Sequence, residues 1–245
     1  MSIPPAGDDP DAGEGTRYLL VSDFHLAWEP GHGEDVLDQI DAYGEEHDCE
    51  TLIVGGDLDA RDGEIASLLD LDFEEFRIAL GNHDTSGSAG TGTSTSYGDV
   101  QIDEEVYWQE ALEETAYAFG MQHDPGDFQV NPGAASSRPQ RRPTDGDEHI
   151  RIYGHSHMPY DRVIDGTLYI GLGSTYQNYN VNERTLPESS FHVLDVTEDT
   201  VSVSHYDFED GEQVEEVVYS LRDGELELES EIWTWRTDRH GDRWA

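Results

Sequence analysis

The chain has 245 residues, of which 55 are Asp or Glu and 13 are basic, a formal net charge of −42. All 13 basic residues are Arg, and Lys is absent. So acidic a chain repels itself at low ionic strength, and its few cations leave little of the basic footprint that a nucleic-acid backbone requires. The length fits one large domain or two small ones.

In molar salt the Debye length falls to about 3 Å and the self-repulsion is largely screened. The composition therefore resembles that of proteins from extreme halophiles with a salty cytoplasm. The apolar residues are patterned into short strands and helices, which argues against disorder of the whole chain. A single cysteine, Cys49, permits no internal disulfide and points to a reducing compartment. No basic stretch followed by an apolar run opens the chain, and no long apolar segment occurs, so the expected location is cytoplasmic.

Residues 1–15, rich in Pro, Gly and Asp, are expected to be disordered, leaving 16–245 as one domain. Tyr18–Val21 reads as a strand, and Val36, Leu37, Ile40 and Tyr43 give a helical spacing over Asp35–His47. Leu52–Val54 is a second strand, Ile65–Leu71 a short helix and Phe76–Leu80 a third strand. Residues 85–99 read as a flexible loop. Val106, Trp108, Leu112 and Ala116 predict a long helix over Ile102–Phe119.

After residue 150 the pattern turns to strands. Arg162–Ile164 and Thr167–Ile170 flank Asp165-Gly166, a favoured two-residue hairpin turn. Phe191–Val196 pairs with Val201–Phe208, and Val217–Leu221 with Leu226–Trp235. In the last strand Leu226, Leu228 and Ile232 alternate with glutamates, so one face is expected to be buried and the other wet. Strand–helix units followed by hairpins predict two packed sheets with helices outside.

Polar clusters sit at four strand ends. Ser22-Asp23-Phe24-His25 follows the first strand and Gly55-Gly56-Asp57 the second. Gly81-Asn82-His83-Asp84 follows the third, and Gly154-His155-Ser156-His157 ends the apolar run at Ile150–Tyr153. Taken singly, an Asp-x-His is usually a solvated loop, a Gly-Asp a turn, an Asn-His-Asp a helix cap and a His-x-His a surface pair. Together they supply carboxylate, imidazole and amide, a set suited to Mn, Fe or Zn rather than Ca.

In this order and spacing, DFH, GGD, GNHD and GHSH resemble the calcineurin-like metallophosphoesterase family, and the likeness runs from about Tyr18 to Ser174. It looks most like the small phosphodiesterase-type branch, here with a halophilic composition. The resemblance implies an α/β (α+β) four-layer fold: a β-sandwich of two mixed sheets flanked by helices. It also implies two divalent cations, Mn²⁺ first, with Fe, Zn, Ni or Mg as alternatives. Asp23, His25 and His157 would bind the first ion, Asn82 and His155 the second, and Asp57 would bridge them. The family adds one histidine to the second ion. His123 is the choice here and His149 the alternative, since His149 precedes the strand that leads to His155 and starts at its far end. His83 would act at the phosphate, oriented by Asp84.

Two features depart from the family pattern. The acidic residue often found three after the bridging Asp is Ala60 here, with Asp59 one position earlier. Residues 131–146 form an unusual insertion carrying Arg138, Arg141 and Arg142, either a solvated loop or an anion-binding lid. The implied activity is hydrolysis of a small or nucleotide-like phosphoester by a hydroxide bridging the two ions; no membrane partner is expected, and the charge of −42 disfavours a nucleic acid. Monoester and diester stay open, as does homo-oligomerisation. A nuclease of the same superfamily and a non-catalytic scaffold on the same fold are the competing readings.

Overall fold

The computed structural model describes residues 15–26, 32–59, 62–86, 101–103, 105–112, 115–123, 149–157, 159–176, 189–222 and 224–233. The N-terminal segment 1–14, residues 87–99 of the expected loop and the Arg-bearing segment 131–146 lie outside these.

Strands β1 (Thr16–Val21), β2 (Thr51–Val54), β3 (Glu75–Ala79) and β4 (Gln101–Asp103) run parallel. Helix α1 (His32–Glu46) connects β1 to β2, α2 (Asp62–Leu69) connects β2 to β3, and the short α3 (Asn82–Ser86) follows β3. On the other side of β1 the sheet continues antiparallel through β10 (Ser190–Val196), β11 (Thr200–Asp207), β12 (Gln213–Arg222) and β13 (Glu225–Trp233). The eight-stranded order is β13-β12-β11-β10-β1-β2-β3-β4. A second sheet has the order β5-β6-β7-β9-β8, from β5 (Glu105–Ala111), β6 (Ala116–Gln122), β7 (Ile150–Tyr153), β8 (Tyr160–Ile164) and β9 (Thr167–Gly171). Its three middle strands are parallel and its outer two antiparallel.

The sheets stack on a core containing Leu20, Ile53, Leu194 and Val203 from the first and Val106, Phe119, Ile152 and Ile170 from the second. A second core lies on the outer face of the larger sheet, where Val36, Leu37, Ile40 and Tyr43 of α1 and Leu68 of α2 meet Leu19, Leu52, Val54 and Ile78. Because side chains alternate along a strand, β1 feeds Leu20 to one core and Leu19 and Val21 to the other. Each such aliphatic side chain stabilises the fold by about 1.5–3 kcal/mol on burial. The turn at Asp165-Gly166 has φ of 51° and 80°, the left-handed pair that a two-residue hairpin needs. Among the described residues no helix is long and apolar enough to cross a membrane.

Two expectations are corrected. The segment Ile102–Phe119 is not a helix: it holds β4, β5 and the start of β6. Val106 and Trp108 are buried two residues apart, as are Tyr117, Phe119 and Met121 on the partner strand. Trp108 pairs with Phe119, and their rings stack at 4.6 Å. The five glutamates between 104 and 114 are good helix formers, but a period of two through bulky side chains prevails over that propensity.

In β13 only Leu226 of the three apolar residues is buried; Leu228 is 57% and Ile232 52% exposed. A register shift opposite Val218/Tyr219 leaves Glu229 as an extra residue, so the strand changes face. Glu231 then pairs with inward-facing Val217, and Ile232 turns outward with Glu216.

Candidate metal centre

The topology delivers the four polar clusters to one rim. Asp23 follows β1, Asp57 follows β2, and Asn82 and His83 follow β3; His123 follows β6, and His155 and His157 follow β7. Each of these strands runs parallel within its sheet and ends at the crevice side, where open α/β sheets bind ligands.

The backbone there is unusual. Asp23 (φ 53°), His25 (49°), Asp57 (51°), Asp59 (44°), His155 (63°) and His157 (50°) all adopt the left-handed conformation. Non-glycine residues rarely do so, and such strain gathers at functional sites held in place by their surroundings. Here the holding is visible. The Asp23 amide donates to Gly56 O at 2.9 Å, His25 N to Asp57 O at 3.2 Å and Leu26 N to Leu58 O at 3.0 Å, tying the first two loops together. Asp84 ties the second to the third: its Oδ1 accepts from Asp59 N and its Oδ2 from Gly81 N, each at 2.8 Å. Burial raises the pKa of Asp84, as does nearby Asp57. Gly81 has no alternative, because a Cβ there would fall 2.0 Å from Asp57 Oδ1.

Two groups of side chains converge. Ligand atoms of Asp23, His25 and His157 lie within 4.8 Å of one another, as do those of Asp57, His123 and His155. In the first, His157 Nε2 is 3.1 Å from Asp23 Oδ1 and 3.5 Å from His25 Nε2. Asp23 is fully buried; Oδ2 accepts from Ser22 Oγ at 2.5 Å and His155 N at 3.1 Å, but Oδ1 has no hydrogen bond among the described residues. In the second, His123 Nε2 faces Asp57 Oδ2 at 3.1 Å and His155 Nδ1 at 3.3 Å. Asp57 Oδ1 accepts from His83 N at 2.9 Å.

The tautomer of His123 tests whether cations fit. Its Nδ1 lies 2.7 Å from the carbonyl oxygen of Gly55, so Nδ1 carries the proton. A neutral ring then aims the Nε2 lone pair at a carboxylate oxygen, which is repulsive unless a cation lies between them. Metal-ligating histidines are commonly oriented by such a second hydrogen bond. Without a metal the cation is a proton. Burial lowers the His123 pKa, but the hydrogen bond and charge of Asp57, with Asp23, outweigh it and leave the pKa raised. Burial likewise pushes Asp57 up, and the bonds from His123 and His83 more than reverse this. At His25 burial dominates and lowers the pKa. The donor set of two carboxylates and four imidazoles suits first-row divalent ions.

Asp23, His25, Asp57, His123 and His157 form a buried floor, whereas His155 and Asn82 are exposed. Half-buried His83 sits edge-on to His25, ring centroids 5.1 Å apart. His149 is elsewhere: it pairs with Ala118 at the start of β7, accepting from Ala118 N at Nδ1 (3.1 Å) and donating its own N–H to Ala118 O (2.9 Å). Three residues that the sequence motifs contain or adjoin but give no role support the site. Ser22 bonds Asp23; Ser174 Oγ donates to Asp23 O at 2.8 Å; Asp59 lies close to His25 and His83. Ser174 belongs to the Gly-Leu-Gly-Ser run that closes β9, a strand-end signal of the same kind as the other four.

Two mixed sheets and a rim of carboxylates and imidazoles define a metallophosphoesterase-type architecture. Residues 17–199 match the calcineurin-like phosphoesterase superfamily domain, and the chain belongs to that superfamily. No curated protein sequence matches it at a significant level. Among solved structures, a predicted phosphoesterase from Streptococcus pneumoniae TIGR4 aligns over 87% of this chain and 97% of its own, with 16% identity and a TM-score of 0.52. YfcE, a phosphoesterase from E. coli, aligns over 82% and 98%, with 15% identity and a TM-score of 0.52. Vacuolar Protein Sorting 29 from Cryptosporidium parvum aligns over 90% and 99%, with 17% identity and a TM-score of 0.51. At these identities the likeness is one of fold.

Proposed function

We propose that the chain hydrolyses phosphoesters at a centre of two divalent cations held by Asp23, His25 and His157 on one side and Asn82, His123 and His155 on the other, with Asp57 between. The observation that carries this reading is His123, whose Nδ1–H is bound to Gly55 O while Nε2 faces Asp57 and His155. Cations bound there would lower the pKa of a water and offset the charge on phosphate oxygens.

The chain's own residues do the rest. The buried floor keeps bulk water from the carboxylates, and the exposed His155, Asn82 and half-buried His83 leave one side open to substrate. His83 stands on that side, with its backbone N–H fixed to Asp57, and is placed to hold a proton for the departing oxygen. Asp84 keeps the second and third loops in register, which positions His83. With a net charge of −42, a small or nucleotide-like phosphoester is favoured over a long nucleic acid.

The test is a panel of p-nitrophenyl phosphate, bis-p-nitrophenyl phosphate and nucleotide esters with Mn²⁺, Zn²⁺, Ni²⁺ or Mg²⁺ in molar KCl. Metal-dependent release of product is expected for at least one ester. A folded chain that binds two cations and hydrolyses none of them would be a scaffold on this fold.

A further inference from the structure

We infer that the protein has a third divalent-cation site, formed by Asp161, His205 and Glu215, which ties the edge strand β8 of the smaller sheet to β11 and β12 of the larger. The inference does not depend on the proposed hydrolase centre.

All three residues stand on faces that carry core side chains elsewhere in their strands. Asp161 pairs with buried Ile170, His205 shares its face with Val201 and Val203, and Glu215 shares its face with Val217 and Tyr219. One ligand atom from each lies within 4.8 Å of the other two. His205 Nε2 is 2.7 Å from Asp161 Oδ1, and both side chains are about 95% buried. The Tyr219 hydroxyl donates to Asp161 Oδ2, which fixes the carboxylate and leaves Oδ1 directed at the imidazole.

Three further observations point to a ligand. First, β-bulges flank the cluster. One falls between His205 and Tyr206, and the other, opposite Val218/Tyr219, turns Glu231 to the same inner face. Bulges of this kind re-aim side chains and are frequent next to functional sites. Second, His192, the cross-strand partner of His205, is wholly buried with its ring 4.4 Å from that of His205. Neither ring nitrogen of His192 has a hydrogen-bond partner among the described residues, so it does not offset the acidic charge. Third, a cavity of about 410 Å³ opens onto Asp161, His205, Glu215 and Glu231, giving water and ions a path. No residue of the first centre lines it.

Three carboxylates thus share one imidazole in a partly desolvated place. Burial, with Asp161 and Glu231 nearby, pushes the Glu215 pKa up to about 7 despite the opposing effect of His205. A divalent cation would relieve this charge. One imidazole and two carboxylates with an open position for water suit Zn²⁺ or Mn²⁺.

The experiment counts ions. Chelator-stripped full-length protein is loaded with Zn²⁺ in molar KCl, which screens the surface carboxylates, and is desalted before elemental analysis. The wild type should retain one more Zn²⁺ per chain than His205→Gln or Glu215→Gln, with both variants keeping the phosphoester hydrolysis of the wild type. Equal counts in wild type and folded variants would overturn the site and leave Asp161–His205 as a plain hydrogen bond. Should His205→Gln and Glu215→Gln fail to fold, Asp57→Ala decides. That chain, lacking the shared ligand of the first centre, should still retain one Zn²⁺, and retention of none overturns the inference.

Discussion

Nε2 of His123 lies 3.1 Å from Oδ2 of Asp57, and the other nitrogen of the same ring is bound to Gly55 O. The ring therefore cannot turn to offer Nδ1 instead. His123→Ala should weaken the second ion by about 10–100-fold in affinity, the range seen when the surroundings of a metal site are disturbed, or more. Hydrolysis should fall with it. His149→Ala removes a hydrogen bond from the Ala118 amide, worth about 0.5–1.5 kcal/mol, and an edge-on ring contact with Tyr117, both at the far end of β7, and should leave activity intact. Metal content and turnover of the two variants decide between them; a severe loss in His149→Ala alone would reverse the assignment.

Asp57 bears on both groups, since its Oδ2 faces His123 while its carbonyl accepts from His25 N and its charge acts on the His25 ring. Asp57→Ala should empty both positions of the first centre and abolish hydrolysis. Tight retention of two ions there, measured on the desalted variant, would show that Asp57 does not join them.

His83 has a different role from the floor residues, and its substitution should separate binding from turnover. His83→Ala should keep the metal content of the wild type while the rate drops by about 10²–10⁴-fold, the usual worth of general acid–base assistance. An ester with a good leaving group, which needs little protonation, should suffer less than one with a poor leaving group. If the variant loses metal instead, His83 is a ligand, a role that its proximity to His25 and Asp59 makes a real alternative.

The strand ends were legible because each polar cluster directly follows a run of buried apolar residues, as Asp23 follows Leu19–Val21. The sandwich was legible from the three hairpins, all of which pair as expected, the first around its Asp165-Gly166 turn. The segment Ile102–Phe119 was not, because its glutamates favour a helix while Val106, Trp108, Tyr117 and Phe119 need a strand to be buried together. The outward turn of Ile232 was hidden as well, since a one-residue bulge leaves no mark in the alternation of β13. Asp161, His205 and Glu215 come from three strands in two sheets, and no spacing along the chain announces their meeting.

The charge of −42 carries the last prediction, that the fold depends on salt. Between 0.1 M and 1 M salt the Debye length shrinks from about 10 Å to about 3 Å, so repulsion among the acidic side chains should weaken sharply over that range. Cys49, the only cysteine, provides a direct readout. It is 6% exposed in the core under α1, and burial pushes its thiol pKa up to about 12 from an ordinary 9.0. Alkylating reagents attack the thiolate, so at pH 8 the folded chain should react roughly 10³-fold more slowly than the unfolded one on pKa grounds alone. Pulse alkylation should therefore find Cys49 protected in molar KCl and modified rapidly once the salt is dialysed away, with circular dichroism lost in parallel. Return of KCl should restore both signals. Equal protection in 0.1 M and 3 M KCl would mean that the acidic surface serves solubility and not folding.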